Sequence, residues 1–284
     1  MPRSPNKTYY GYTSAGNQPV RITADEDFFH ALIFQGDEEY YIDPAKNYIA
    51  GTPDNQFIIY KASDNVRQFS PEACGVTAEH KIKHHSTTDG EENHGSNNRL
   101  LVCKILQIAL ANDYEMFQEK GSVAAVEAHN MAVINDVLTN YDFEFTIDME
   151  FEVVEIYVAS SNSEDPWTNS LDPGALLPNF ASWGQNGFSN AHDVGGLWTN
   201  RDFTGDVVGL AYVGTICQTG WKYHIMEDFT NNANWLRCLQ AHEMGHNFDA
   251  DHDPIGSTTI MAPTVQNTNT WSTASLNSIN SFMN

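Results

Sequence analysis

Two histidines four residues apart, followed by a third, constrain this chain more than any other feature. His242-Glu243-Met244-Gly245-His246-Asn247-Phe248-Asp249-Ala250-Asp251-His252-Asp253 reads HExxHxxDxxHD. On a helix that spacing sets the His242 and His246 imidazoles on one face, a turn apart, so their ring nitrogens can converge on one ion. His252 supplies a third nitrogen if the helix ends near Asp249 and the chain turns back. Three neutral imidazoles leave a tetrahedral zinc ion one position for water, the arrangement of a catalytic rather than a structural site. Such an ion lowers the pKa of its water toward ~7 and polarises a carbonyl. Glu243 can reach that water without ligating the ion, take its proton and later hand it to a leaving amine. The reaction this suits is hydrolysis of a peptide bond. HExxH alone arises by chance on ordinary helices; the third histidine lifts the pattern above chance.

The chain has 284 residues, room for one or two domains. Its 37 acidic and 14 basic residues give a net charge of −23, so no basic patch exists to neutralise phosphates. Nucleic acid is therefore excluded as a partner and an anionic membrane surface disfavoured. The acidic excess reads as a solvated surface, with calcium binding by some carboxylates left open and unlocalised. No apolar run approaches the roughly 20 residues of a membrane span. Residues 1–18 are polar and lack the apolar core of a signal peptide, which implies a truncated start. Four cysteines are too few for a disulfide scaffold.

Residues 1–79 contain short β-like pieces at 28–34, 39–42 and 56–60, separated by Gly36-Asp37 and a turn cluster at 51–55. They predict a small meander with a modest core. From 80 to 98 the composition turns polar, with Ile82 the single aliphatic residue, and reads as a flexible linker. His80, His84, His85 and His94 lie there; a second metal site is conceivable, but no element fixes their spacing and the linker reading is preferred.

Beyond the linker the pattern becomes α/β. Residues 100–110 form an aliphatic run suited to a strand buried on both faces. Ser122 is the N-cap of a helix whose buried stripe is Val123, Val126, Asn130, Ile134 and Val137, with His129 a packing or surface residue. Phe143, Phe145, Ile147, Met149, Phe151 and Val153 alternate, then Val154, Ile156 and Val158 continue in opposite phase: one long strand with a bulge between Val153 and Val154. Residues 160–178 read as loop, 179–186 as a short helix, and 194–199, 207–213 and 223–226 as strands. A helix over 232–248 carries Trp235, Leu239, His242 and His246 on one face, and a last short helix spans 275–282.

The stretch from His242 to Asp253, followed by Met261, resembles the zinc signature and Met-turn of the metzincin peptidases. The Asp after the third histidine, with Ile260-Met261-Ala262-Pro263, resembles the reprolysin/adamalysin branch, which includes the ADAM and snake-venom metalloproteinases. Arg201-Asp202-Phe203 and the segment from Gly209 to Cys217 are similar to that branch's approach to its substrate strand. The likeness covers roughly residues 98–284. It implies an α/β (α+β) fold: a twisted mixed sheet with long helices and a small C-terminal subdomain, preceded by a β-rich pro-segment. Zinc would lie in a cleft on His242, His246 and His252, above Met261. Asp253 would sit behind the ligands, and an extended polypeptide substrate would add to the edge at Gly209, Leu210 and Ala211. The family usually has glycine where this chain has Asp249, because the backbone turns sharply there; Asp tolerates that conformation at a cost of order 1 kcal/mol.

Pro71-Glu72-Ala73-Cys74-Gly75-Val76-Thr77 resembles the cysteine switch of the same family's prodomains. Cys74 would offer a thiolate to zinc and exclude water. Residues 1–79 would then be an inhibitory pro-segment, 80–98 the region where cleavage releases it, at Lys81, Lys83 or Arg99, and 99–284 the catalytic domain. The alternative is a buried structural Cys74 or a Cys74–Cys103 pair. Cys217 and Cys238 could brace the helix as a disulfide or remain two buried thiols. The resemblance implies a secreted zymogen; a peptide-binding protein without activity and a zinc hydrolase of a non-peptide amide are the other readings.

Overall fold

Alternating apolar and polar residues in the N-terminal quarter build an antiparallel meander of five strands in chain order: β1 (Lys7–Tyr12), β2 (Pro19–Ala24), β3 (Phe29–Gln35), β4 (Glu38–Pro44) and β5 (Phe57–Lys61). The computed structural model describes residues 7–65, 73–81, 104–142, 144–145, 147 and 149–284. Gly36-Asp37 is the two-residue turn between β3 and β4, where Gln35 faces Glu38 and Gly36 takes φ +65. The first two strands were not singled out by the pattern. Leu32, Tyr41 and Ala62 make a very small core, against which Phe34, Tyr60 and, from a helix of the other half, Ala233 pack.

A sheet with so little core needs a support. It lies on the helix α2 (Val123–Tyr141) and the start of α4 (Ala233–Asn247). Buried polar pairs fasten it there: His30 Nε2 to Asp136 at 2.7 Å, Glu39 to Arg237 at 3.2 Å, Arg21 to Asp142, and the Tyr41 hydroxyl donating to Asn234 at 3.0 Å.

The second sheet has the order β6-β10-β11-β9-β7-β8. Its strands are β6 (Ala73–Cys74), β7 (Lys104–Asn112), β8 (Met149–Val158), β9 (Val194–Thr199), β10 (Val207–Ala211) and β11 (Tyr223–Glu227). β7, β8, β9 and β11 are mutually parallel where they pair, β10 runs antiparallel to β11, and β6 runs parallel to β10 along its outer side. Ile108 faces Val153 and Ala109 faces Glu155, so Val154 is the extra residue of the bulge that the change of phase predicts.

Among the described residues five α-helices complete the fold: α1 (Tyr114–Lys120), α2, α3 (Pro173–Gly187), α4 and α5 (Thr273–Met283). Ser122 caps α2, accepting from the Ala125 amide at 3.1 Å. Val126, Asn130, Ile134 and Val137 are buried as expected, but Val123 is exposed in the first turn. His129 packs edge-on to Trp198 and lies 3.2 Å from Asp228.

Three sequence expectations need correction. The helix placed at 179–186 starts at Pro173: Asp172 accepts from the Gly174 amide and Pro173 fills the first turn, where its missing N–H costs nothing. The alternating stretch is a strand from Met149 onward, Phe145 reaches the core from a bend, and Phe143 lies outside the described residues. Cys217 and Cys238 are both free. Cys217 is exposed and donates to Asp193 at 3.3 Å, whereas Cys238 is buried and donates to the Thr268 carbonyl at 3.3 Å. Cys103, Ile82, His84, His85, His94 and Arg99 lie outside the described residues.

Candidate active site

Helix α4 is buried along almost its whole length, which a single apolar stripe does not foretell. Asn232 caps it by accepting from the Asn234 amide at 3.1 Å. Its ending depends on Asp249, which takes φ +71, the left-handed conformation usually left to glycine. The Asp249 amide donates to the His246 carbonyl at 2.9 Å and the Ala250 amide to the Gly245 carbonyl at 3.0 Å, turning the chain back over the helix. That return delivers His252. The turn therefore works without the glycine.

Three ring nitrogens meet there. His242 Nε2 and His246 Nε2 are 3.1 Å apart, and each is 3.2 Å from His252 Nε2. The opposite nitrogens of the two helical residues are committed: His242 Nδ1 donates to the Ile260 carbonyl at 2.6 Å and His246 Nδ1 to the Ala250 carbonyl at 2.7 Å. Their Nε2 atoms therefore carry lone pairs, aimed at one point. Burial, then the neighbouring His252, pushes the His242 pKa down to about 3, and burial lowers His246 and His252 as well. Neutral imidazole is the form that ligates a metal. Nitrogens ~2.0–2.1 Å from a tetrahedral zinc would be roughly 3.3 Å apart, close to this triangle, and converging lone pairs need a cation between them. The donor set fits zinc.

Cys74 completes the group. The ligand atoms of Cys74, His242, His246 and His252 all lie within 4.8 Å of one another. Cys74 Sγ is 3.5 Å from His246 Nε2 and 3.7 Å from Glu243 Oε2. The thiol arrives on β6, which threads between two walls. Ala73 N donates to the Asp206 carbonyl at 2.7 Å and Gly75 N to the Gly209 carbonyl at 2.9 Å, while Cys74 N donates across to the Pro263 carbonyl at 3.0 Å. Burial, then the Glu243 carboxylate, raises the thiol pKa.

Burial also raises Glu243 to about 8, and its Oε1 has no hydrogen-bond partner among the described residues. Beneath the histidines Met261 is fully buried; a Cβ on Gly245 would come within 2.6 Å of its sulfur, so the helix and Met261 touch because residue 245 has no side chain. Asp253 accepts from Ser272 Oγ at 2.6 Å and from Thr259 Oγ1 at 2.5 Å, behind His252 rather than beside the nitrogens. Gly209, Leu210 and Ala211 stand on β10, the strand that β6 covers.

A reprolysin-type profile of metallo-peptidase family M12 matches residues 103–284. The chain belongs to that family. It is 26% identical over 227 residues to a zinc metalloproteinase-disintegrin-like protein of Cerberus rynchops, covering 76% of this chain and 35% of the relative. It is 24% identical over 261 residues to the zinc metalloproteinase-disintegrin-like protein BmMP of Bungarus multicinctus, covering 88% and 40%. The chain thus spans well under half the length of these curated relatives. The fold is similar to that of metalloproteinase-II from Bacteroides fragilis, with a TM-score of 0.59 at 14% identity, covering 98% of this chain and 86% of that one.

Sequence reasoning named the three converging histidines but missed two contacts at the rim of their site. His80 O accepts from Val213 N at 3.1 Å, and Lys81 Nζ lies 2.6 Å from Asp251 Oδ2. A second acidic group, Asp113, Glu115 and Asp165, could in geometry hold a cation, but the Arg201 guanidinium already reaches all three. Among the described residues no helix is long and apolar enough to cross a membrane.

Proposed function

We propose that this M12 peptidase is an endopeptidase precursor, held latent by its own N-terminal region. His242, His246 and His252 hold zinc, and Cys74 occupies the fourth position. The observation that carries the reading is the Cys74 sulfur 3.5 Å from His246 Nε2, on a strand lying where an extended substrate would lie. Residues 1–79 act as the pro-segment, 80–98 as the connection to be cut, and 99–284 as the catalytic domain. The family likeness favours an extracellular destination.

When bound, zinc supplies Lewis acidity, polarising a carbonyl oxygen and making a water acidic enough to attack near neutral pH. The protein does the rest. With β6 withdrawn, β10 presents backbone groups to an extended peptide, as it now does to Gly75. Glu243 is the buried carboxylate aimed into the space that Cys74 vacates, so it takes the proton of the attacking water and returns it to the departing amine. Asp253 and Met261 hold His252 and the floor of the site in place.

The test is a pair of variants in the zinc-loaded full chain, read by mass spectrometry on a library of unfolded proteins. Glu243→Ala keeps its zinc and cleaves nothing after processing. Cys74→Ser cuts internal peptide bonds before processing. Undiminished turnover in the first removes the proton-transfer role; unchanged latency in the second removes the switch.

A further inference from the structure

The segment from Ala73 to Lys81 follows the rim of the site, as strand at Ala73–Cys74 and through a 3-10 turn at Ala78–His80, and its far end marks a contact that the chemistry at zinc does not need. Cys74 is in register with Gly209. Further along the same edge Lys81 bridges to Val213 in parallel, with Val213 N donating to His80 O at 3.1 Å. There the Lys81 ammonium meets Asp251 Oδ2 at 2.6 Å. Asp251 is exposed and directly precedes His252, so its carboxylate is fixed relative to the metal site by the same turn that delivers the third nitrogen.

We propose that Asp251 selects a basic side chain in the substrate, and that Lys81 occupies that subsite in the latent chain. The assignment rests on the peptidase reading above. Val213 is four residues beyond Gly209 on the edge. An extended peptide rising ~3.3 Å per residue therefore brings a side chain to Val213 about four residues from the bond that is cut. Once Lys81 leaves, Asp251 presents an unmatched carboxylate to that side chain. A chain of net charge −23 also draws cationic peptides toward itself, so local contact and long-range field act in the same sense. Because the carboxylate is exposed, the preference is modest and weakens with salt.

The experiment is competition in a single tube. The zinc-loaded full chain, cleaved after Arg99, is given a pool of peptides of one sequence with lysine or alanine at each position up to five residues either side of the cut bond. Residual pro-segment then affects all members alike. The expected result is a two- to fivefold higher kcat/KM for lysine at one position three to five residues from the cut. The ratio falls to one in Asp251→Asn, returns in Asp251→Glu, and shrinks for the wild type in ~1 M salt. An unchanged ratio in Asp251→Asn, or no lysine preference at low salt, overturns the assignment. If the wild type cleaves no member of the pool, it is the peptidase reading that fails. The same peptides are then ranked by affinity, and equal binding of lysine and alanine members overturns the role of Asp251 separately.

Discussion

Gly209 leaves the gap into which Glu243 reaches. A Cβ on Gly209 would lie 2.2 Å from Glu243 Oε1 and 2.9 Å from Leu239 Cδ1, so edge strand and helix approach each other only because residue 209 has no side chain. Gly209→Ala should displace the carboxylate and lower kcat/KM of the processed chain at least about tenfold, with one zinc per chain retained. Zinc analysis beside kinetics checks this; wild-type kcat/KM would mean that Glu243 does not need its present position.

The turn at Asp249 makes a stability prediction. With φ at +71, a β-branched side chain is strained, and Asp249→Val should cost about 1–3 kcal/mol and weaken zinc binding by misplacing His252. Asp249→Gly should be tolerated with zinc affinity unchanged. Denaturant melts of both variants, with zinc titrations, would contradict the account if valine were as stable as glycine.

His30 makes docking of the N-terminal sheet pH-dependent. Burial alone would push its imidazole down, but Asp136 and Asp43 outweigh burial and raise the pKa from 6.5 to about 10. A group raised on folding stabilises fully below its unfolded pKa and loses that contribution as pH climbs through the folded one. Stability should therefore decline between about pH 6.5 and 10. His30→Gln should cost about 3–5 kcal/mol at pH 6, by leaving buried carboxylates uncompensated, and should flatten that decline. Urea melts at several pH values decide it; an equally steep decline in the variant would place its source elsewhere.

The free thiols differ in access. Cys217, exposed, should be alkylated in the native chain, slowly because burial and Asp193 raise its pKa to about 11. Cys238 should react only in denaturant. Peptide mass mapping reads both, and a Cys217–Cys238 linked peptide would contradict the fold.

Much of this was legible in local sequence because local physics decides it. Helical spacing aligned His242 with His246, Ser122 announced α2, and a change of phase at Val153-Val154 announced a bulge. Where local signals conflicted the reading failed: Asp172-Pro173 is a helix start, yet Pro178 inside the helix disguised it as loop. What closes the site and docks the N-terminal sheet is not local at all. Cys74 reaches Glu243, Lys81 reaches Asp251 and His30 reaches Asp136 across very long stretches of chain, and only the paired sheet edge and buried helices bring them together. Buried charges such as Arg237 give no signal in a sequence rich in solvated acids.

The central claim is that Cys74 and the three histidines share one zinc in the intact chain. X-ray absorption at the zinc edge of the unprocessed, zinc-loaded protein measures this directly. One sulfur at ~2.3 Å and three nitrogens at ~2.0–2.1 Å are predicted, with the sulfur absent from Cys74→Ser. A shell of nitrogen and oxygen alone in the wild-type chain would contradict the account.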